Sequence, residues 1–469
     1  MLAKTGNHPS VVIDRRDWLR VGAGLAVAET SLGRLWGRDS EQAQIPAVPI
    51  DERKTARSCI LVYLLGGPPQ LDMWDLKPDA AAEVRGPFSP ISTSLPGVQI
   101  CEHLPCLAQL TDDYAIVRSV SHRNNNHTPM IYFTLTGREV AQPNRDNDVR
   151  PPQRNDFPHV GAIMSQFRPT AGSLPGFIAV PEVAVRSSAD NKRARQLLRG
   201  GGAGFLGTRH DPLPINGEPG LVDSIPSLAL PDDVSAERFE RRAVLQSLLD
   251  GGAVRSGSAK QFDTTYQQAI ALTGSTHRGD AKVFSLDDEP PRVQELYGRH
   301  RLGKSLLLAR RLAEAGVPMI AIHFNEMTRC DGWDTHKKNF HALETELLPL
   351  LDQGLSALLT DLKQRGTLDE TLVVCMGEFG RTPKINKNAG RDHWGSCSTA
   401  VLAGGGIRGG QVLGASDKIG AYPRDTPIDP VDIHATMFRL MGLDPHQTMS
   451  DRSGRPWPLS TGQVVSKLL

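Results

Sequence analysis

The chain has 469 residues, of which 39% are hydrophobic and 22% charged; this supplies a large buried core and excludes a disordered or fibrous chain. Lys+Arg number 53 against Asp+Glu 52, a formal net charge of +1 that gives no global attraction to nucleic acid or anionic lipid. Cysteine, at 6, is too scarce for a disulfide scaffold; Cys101 and Cys106 stand close enough to pair, whereas Cys59 and Cys375, inside apolar runs, read as buried free thiols.

In chain order, the N-terminus comes first and stands apart from the globule. Arg15 and Arg16 sit in Asp14-Arg-Arg-Asp-Trp-Leu-Arg20, ahead of a short, mildly apolar stretch. That is the pattern of a twin-arginine export signal, taken as residues 1–35. Residues 36–57 are mostly polar, contain proline and read as a linker. The apolar stretch is too short to span a bilayer stably, and no later run reaches the roughly 18 residues needed. The expectation is a periplasmic or otherwise extracytoplasmic protein, with no membrane segment beyond the signal itself if that is left uncut.

The rest, residues 58–469, alternates two patterns. Cys59–Leu65, Ala115–Val120, Phe177–Val180, Val317–Phe324, Thr371–Met376 and Thr399–Ala403 are short apolar runs bounded by turn residues and read as buried parallel strands. Helical spacing appears between them, over Ala236–Leu249, Arg301–Ala315 and Phe340–Arg365. The alternation predicts one α/β domain, a doubly wound, mostly parallel sheet with helices on both faces. Residues 141–235, rich in Gly, Pro, Arg and Asp and weak in periodicity, are expected to form a loop-rich insertion over the sheet's ligand edge.

Two motifs match in letters only. Gly298-Arg-His-Arg-Leu-Gly-Lys-Ser305 has the spelling of a phosphate-binding loop, but the preceding Pro291–Tyr297 reads as helix rather than strand, so the segment is taken as a helix start. Nucleotide binding through it would have to show as ATP affinity abolished by Lys304→Ala. Gly404-Gly-Gly-Ile-Arg-Gly409 has dinucleotide-loop spacing, but no helix succeeds it and it is read as a turn.

Ligands of open α/β sheets bind beyond the carboxyl ends of the strands. The segments at those ends are rich in Asp, Glu, His and Arg here: Asp72 and Asp75 after the first run, His122, Arg123, His127 and Thr128 after the second, Asp334 and His336 after the run from Val317, and Glu378 and Arg381 after Thr371–Met376. Arg391, Asp392 and His393 precede the last run. Mixed carboxylate and imidazole suit one or two divalent metal ions such as zinc, calcium or manganese, which hold the oxygens of a phosphate or sulfate ester. Arg381 or Arg123 would neutralise the non-bridging oxygens.

The order of these segments resembles the DUF1501 family, exported proteins of unassigned function with a twin-arginine signal. The resemblance rests on Gly66-Gly-Pro-Pro-Gln-Leu-Asp-Met-Trp-Asp-Leu-Lys-Pro78, Asn126-His-Thr-Pro, Thr134-Leu-Thr-Gly-Arg138, Gly298-Arg-His-Arg-Leu-Gly303, Gly332-Trp-Asp-Thr-His336, Gly377-Glu-Phe-Gly-Arg-Thr-Pro383 and Asp392-His-Trp394. That family is similar to the alkaline phosphatase and sulfatase superfamily, which implies its α/β core and a metal-assisted ester hydrolase site. By the same resemblance, Thr136-Gly137 places the superfamily's nucleophile position at His127, with Thr128 beside it. Sulfatases carry Cys/Ser-x-Pro-x-Arg there, and this chain has His127-Thr-Pro-Met-Ile, keeping the proline but not the nucleophile or the arginine. The resemblance makes Asp72 or Asp75, Asp334, His336, Glu378 and His393 the metal set, with Phe379 where a ligand is usual. The expected function is a metal-dependent hydrolase of sulfate or phosphate esters, acting on a small-molecule or glycan ester and not on nucleic acid. The alternative is a catalytically degenerate member that binds a glycan or a partner protein outside the cytoplasm. Sequence gives no oligomeric state.

Overall fold

The computed structural model of the chain describes residues 55–140, 152–170, 174–182, 185–188, 191–221, 280–324 and 332–469, with short pieces between 234 and 245. The segments read as an export signal and, nearly all of it, a linker, and most of the helix expected over Ala236–Leu249, lie outside the described residues. In chain order the elements that build the core are β1 (Ser58–Leu64), β2 (Tyr114–Val120), α1 (His127–Thr136), α2 (Val160–Phe167), β3 (Phe177–Val180), β4 (Leu213–Pro214), α3 (Arg301–Glu314), β5 (Met319–Phe324), α4 (Leu348–Gln364), β6 (Thr371–Met376), β7 (Ser398–Ala403), β8 (Gln411–Leu413) and α5 (Pro430–Leu440).

All the strands join one 8-stranded sheet in the order β8-β2-β7-β6-β1-β5-β3-β4. Every residue of β1 is buried, and its side chains alternate between two layers. Ile60, Val62 and Leu64 pack with Leu306 and Leu358 from α3 and α4; Cys59, Leu61 and Tyr63 pack with Ile163, Ile433 and Phe438 from α2 and α5. Both faces are therefore covered, which is why the strands read as continuous apolar runs rather than alternating ones.

β1 pairs in parallel with β6 and β5, and β5 with β3. One expectation needs correcting: β7, read as parallel, runs antiparallel to both β6 and β2. A strand buried on both faces carries the same apolar run in either direction, so composition does not reveal its sense. The reversal has a consequence for function. The carboxyl ends of β1, β2, β5 and β6 lie at one edge, and β7 brings its amino end to that same edge.

Where it is described, the 141–235 segment supplies α2, β3 and β4, and so extends the sheet at one side. The Gly298–Ser305 segment is a helix start. The His300 imidazole accepts from the Gly303 N–H at 3.1 Å at the head of α3, and Lys304 is paired with Glu218 at 2.6 Å. Cys101 and Cys106 are not paired as the spacing suggested: both thiols are free, the first buried and the second exposed, as Cys59 and Cys375 are free and buried. Among the described residues, no helix is long and apolar enough to cross a membrane.

Three buried imidazoles are held neutral. Burial pushes His323 and His434 down to about 4 and His159 well below its ordinary value. The unfolded chain takes up protons below about pH 6.5 that the folded chain refuses, so stability rises with pH through that window and is flat above it. The expected loss on going from about pH 7.5 to about pH 4 is at most about 3 kcal/mol per imidazole. Urea unfolding midpoints that stayed constant from about pH 7.5 to about pH 5 would contradict this.

Candidate metal centre

Five chain segments meet at the edge, the one that follows β5 and carries Asp334 and His336 among them. The turn after β1 is Gly66-Gly67, both at positive φ. A Cβ on Gly66 would sit 2.5 Å from the Asp334 nitrogen, and one on Gly67 would strike the Phe379 ring, so glycine is what lets this turn approach the other loops. The segment after β2 enters α1 at His127. The segment after β6 carries Glu378. The segment before β7 carries His393, whose short ribbon pairs it with Arg381.

Asp334 lies at the middle. One of its oxygens, Oδ1, is 3.1 Å from His393 Nε2, 3.2 Å from His336 Nε2 and 2.7 Å from the Arg381 guanidinium. The other, Oδ2, is 3.2 Å from His127 Nε2, at an angle that makes no hydrogen bond. His336 Nε2 and His393 Nε2 are only 2.8 Å apart. Ligand atoms of His127, Asp334 and His393 all fall within 4.8 Å of one another.

Each imidazole is held from behind through Nδ1. That of His127 donates to Glu378 Oε1 at 2.6 Å, that of His336 to Asp392 Oδ1 at 2.8 Å, and that of His393 to the Asn125 carbonyl at 2.8 Å. A carbonyl or carboxylate can only accept, so each Nδ1 carries a proton and each neutral ring presents its Nε2 lone pair to Asp334. Glu378, buried, also accepts from the Gly66 N–H at 2.9 Å. Phe379 does not reach in as a ligand. Its ring lies against those of His127 and His393, at 4.8 and 4.7 Å between centroids, and forms an apolar wall.

This geometry sets the charges. Burial raises the Asp334 carboxyl, but donation and positive charge from the facing imidazoles, when they are protonated at Nε2, outweigh it and hold the group well below the usual carboxylate range. The hydrogen bond to Asp334 raises His336, while burial pushes His393 down to about 4. Of these two rings, His336 is the one on which a proton between the crowded nitrogen and oxygen lone pairs is favoured. A buried His127 Nε2 without a hydrogen bond, aimed at a carboxylate, is the pattern of a cation site, and the donor set fits a divalent ion.

The remaining residues expected at the site lie elsewhere or are already committed. Asp72, fully buried, accepts from both Nε and NH2 of Arg391 at 2.7 Å and from Asn339 at 2.8 Å. Asp75 is held by Ser416, by Lys77 at 2.9 Å and by Arg118 at 3.6 Å. Neither faces the imidazoles. Arg381, with no exposed surface, donates to the carbonyls of Gly66, Gly67, Trp333 and Arg391 as well as to Asp334, which leaves no free edge for an oxyanion. Thr128 Oγ1, one residue after His127, is buried and makes no hydrogen bond. Asp392, Arg391 and the Asn125 carbonyl had no role assigned from sequence. Asp392 stands beside His393 and could have been read as a ring-holding carboxylate, but a backbone carbonyl leaves no mark in sequence.

No curated protein matches the chain. Its fold is similar to several solved structures. One is a sulfatase from Pseudoalteromonas sp., at 13% identity over 92% of this chain and 72% of that one, with a TM-score of 0.33. Another is a phosphonate monoester hydrolase from Silicibacter pomeroyi, at 14% identity over 88% and 76%, TM-score 0.33. A third is the lipoteichoic acid synthase LtaP from Listeria monocytogenes, at 9% identity over 88% and 78%, TM-score 0.34. A family model matches residues 56–469, which is the whole of the described fold, and the chain accordingly belongs to the family of proteins of unknown function designated DUF1501.

Proposed function

We propose that the centre holds a divalent cation and that the protein hydrolyses sulfate or phosphate esters outside the cytoplasm. The observation that carries this is three imidazoles, each fixed through Nδ1, converging with Nε2 on the Asp334 carboxylate. His127, His336, His393 and Asp334 would hold the ion. A set of imidazole nitrogens with one carboxylate favours zinc or manganese over calcium, which prefers oxygen ligands. The chemistry supplied when the ion is bound is polarisation of a sulfuryl or phosphoryl oxygen.

The chain's own residues do the rest. Glu378 and Asp392 orient two of the imidazoles, and Arg381 fixes the Asp334 carboxylate. His127 has Nδ1 occupied by Glu378 and Nε2 turned to Asp334, so it is poorly placed to attack an ester. Of the two residues read from sequence as nucleophiles that leaves Thr128, whose buried hydroxyl has no hydrogen-bond partner and would have to turn toward the ion to act. Export through Arg15 and Arg16 belongs to the same reading, and replacing both by Lys should leave the protein in the cytoplasmic fraction.

The test is metal analysis of the purified protein together with turnover of aryl sulfates and aryl phosphates, with and without added zinc or manganese. Absence of any bound divalent ion, with no turnover under any metal, would overturn the proposal. Turnover that survives Thr128→Val would remove Thr128 alone. Glu378→Gln should lower cation affinity by about 10- to 100-fold, because the His127 ring loses its charged anchor. Isothermal titration with zinc measures this directly, and an unchanged affinity would show that Glu378 does not set the ring.

A further inference from the structure

We infer that a cavity beside the metal centre binds a pyranose sugar bearing an anionic group, which makes the ester substrate a glycan; the link to ester cleavage rests on the hydrolase reading, whereas sugar binding does not. The cavity has a volume of about 620 Å³, inside the roughly 300–1,000 Å³ usual for small-molecule sites. It is lined by the segment after β2, the first turns of α1 and the chain around Ser396 and Tyr422.

The same segments back the metal centre. His122, on the cavity wall, has Nε2 2.7 Å from the Glu378 carbonyl, and its backbone N–H donates to the Gly395 carbonyl at 2.9 Å. Asn125, whose carbonyl holds His393, accepts the Gly395 N–H on its side-chain oxygen at 2.6 Å. A ligand in the cavity thus lies beside the cluster, against a wall that the cluster keeps rigid.

The chemistry of the lining selects the ligand. Tyr422 is 54% exposed, and its ring is braced edge-on by Trp394 at 5.6 Å. Trp394 is fixed in turn by its indole N–H, which donates to the Ala421 carbonyl at 2.6 Å. A flat, exposed, pre-positioned ring is a platform for the apolar face of a sugar, and Met130 and Phe133 supply further apolar surface. Arg123 is exposed and makes no ion pair among the described residues, so its guanidinium is open to a sulfate, phosphate or carboxylate substituent. Glu139 and Asp429 add carboxylates that accept from hydroxyl groups. One arginine beside two carboxylates does not suit a polyanion such as nucleic acid. The polar lining does not suit an acyl chain either. A hydroxyl-rich ring with one anionic group satisfies all of them.

The experiment is titration calorimetry of the full chain with three disaccharides, one neutral, one bearing a single uronate and one bearing a single sulfate. At least one acidic disaccharide should bind about tenfold or more tighter than the neutral one, as expected for one charge-assisted contact. Arg123→Ala should abolish that preference, and Tyr422→Ala should weaken binding of every sugar that binds. Both side chains are exposed, so neither change removes core packing, and thermal melts confirm that the variants remain folded. No binding of either acidic sugar, or binding indifferent to both substitutions, overturns the inference. Acidic-sugar binding that persists in Asp334→Ala supports the cavity even where ester turnover is absent. Aryl-ester turnover by a protein that binds none of the sugars leaves the hydrolase reading standing and removes this one.

Discussion

Asp334→Ala is expected to abolish cation binding, lowering affinity by at least about a thousandfold, and to destabilise the metal-free protein by about 3 kcal/mol. The first effect stems from position, because Asp334 is the one carboxylate that all three Nε2 atoms approach. The second comes from Arg381, which is fully buried and has Asp334 as its hydrogen-bonded carboxylate partner at 2.7 Å. Its four backbone carbonyl partners survive the substitution but carry no charge, so a buried cation loses its counterion. An opposing effect exists, since removing the carboxylate relieves its crowding against imidazole lone pairs. That relief is the smaller of the two, because the same carboxylate favours a proton on His336, which would lie between the crowded atoms. Asp334→Asn separates the effects: its amide oxygen still accepts from Arg381, so part of the stability returns while the cation affinity does not. Urea unfolding of the metal-free variants and zinc titration read the two quantities independently. Wild-type zinc affinity in Asp334→Ala would show that the ion, if any, binds elsewhere.

The strands were legible from sequence because a sheet covered on both faces demands unbroken apolar runs, and Cys59–Leu65 and Thr371–Met376 satisfy that demand over nearly their whole length. The direction of β7 was not legible, since pairing sense leaves no trace in a short run buried on both faces. The motif around Asp334 and His336 and the one around His393 pointed to residues that do converge. Asp72 and Asp75 illustrate the limit. An aspartate after a strand has the same local sequence whether it faces a ligand or an arginine, and Arg391 lies 319 residues away from Asp72 along the chain. Arg381 likewise reads as an anion binder until the carbonyls of four separate residues are seen to saturate it. Residue type shows what a side chain can do; the partner that occupies it is set by tertiary contacts between distant segments.

The Asp72–Arg391 pair connects both halves of the centre, and breaking it should be felt there. Both side chains are fully buried, and Arg391 immediately precedes Asp392 and His393. On the other side, Asp72 accepts from Asn339, whose amide oxygen accepts from the Thr335 hydroxyl at 2.6 Å; Thr335 sits between Asp334 and His336. Asp72→Ala leaves Arg391 buried without a countercharge and should destabilise the protein by about 3 to 5 kcal/mol. It should also weaken zinc binding by about 10- to 100-fold, because the loops carrying His336 and His393 lose their common tie. A destabilised fold alone would mimic the second effect, so the double variant Asp72→Leu with Arg391→Met supplies the control. Replacing a buried ion pair by apolar side chains of similar volume is often nearly neutral for stability. It does not restore the hydrogen bonds that Arg391 makes to the carbonyls of Val84, Thr382 and Pro383, which set the course of the chain into His393. The double variant should therefore recover most of its unfolding free energy while its zinc affinity stays low. Recovery of both together would reduce the pair to a stabilising contact, and unchanged zinc affinity in Asp72→Ala would disconnect it from the centre.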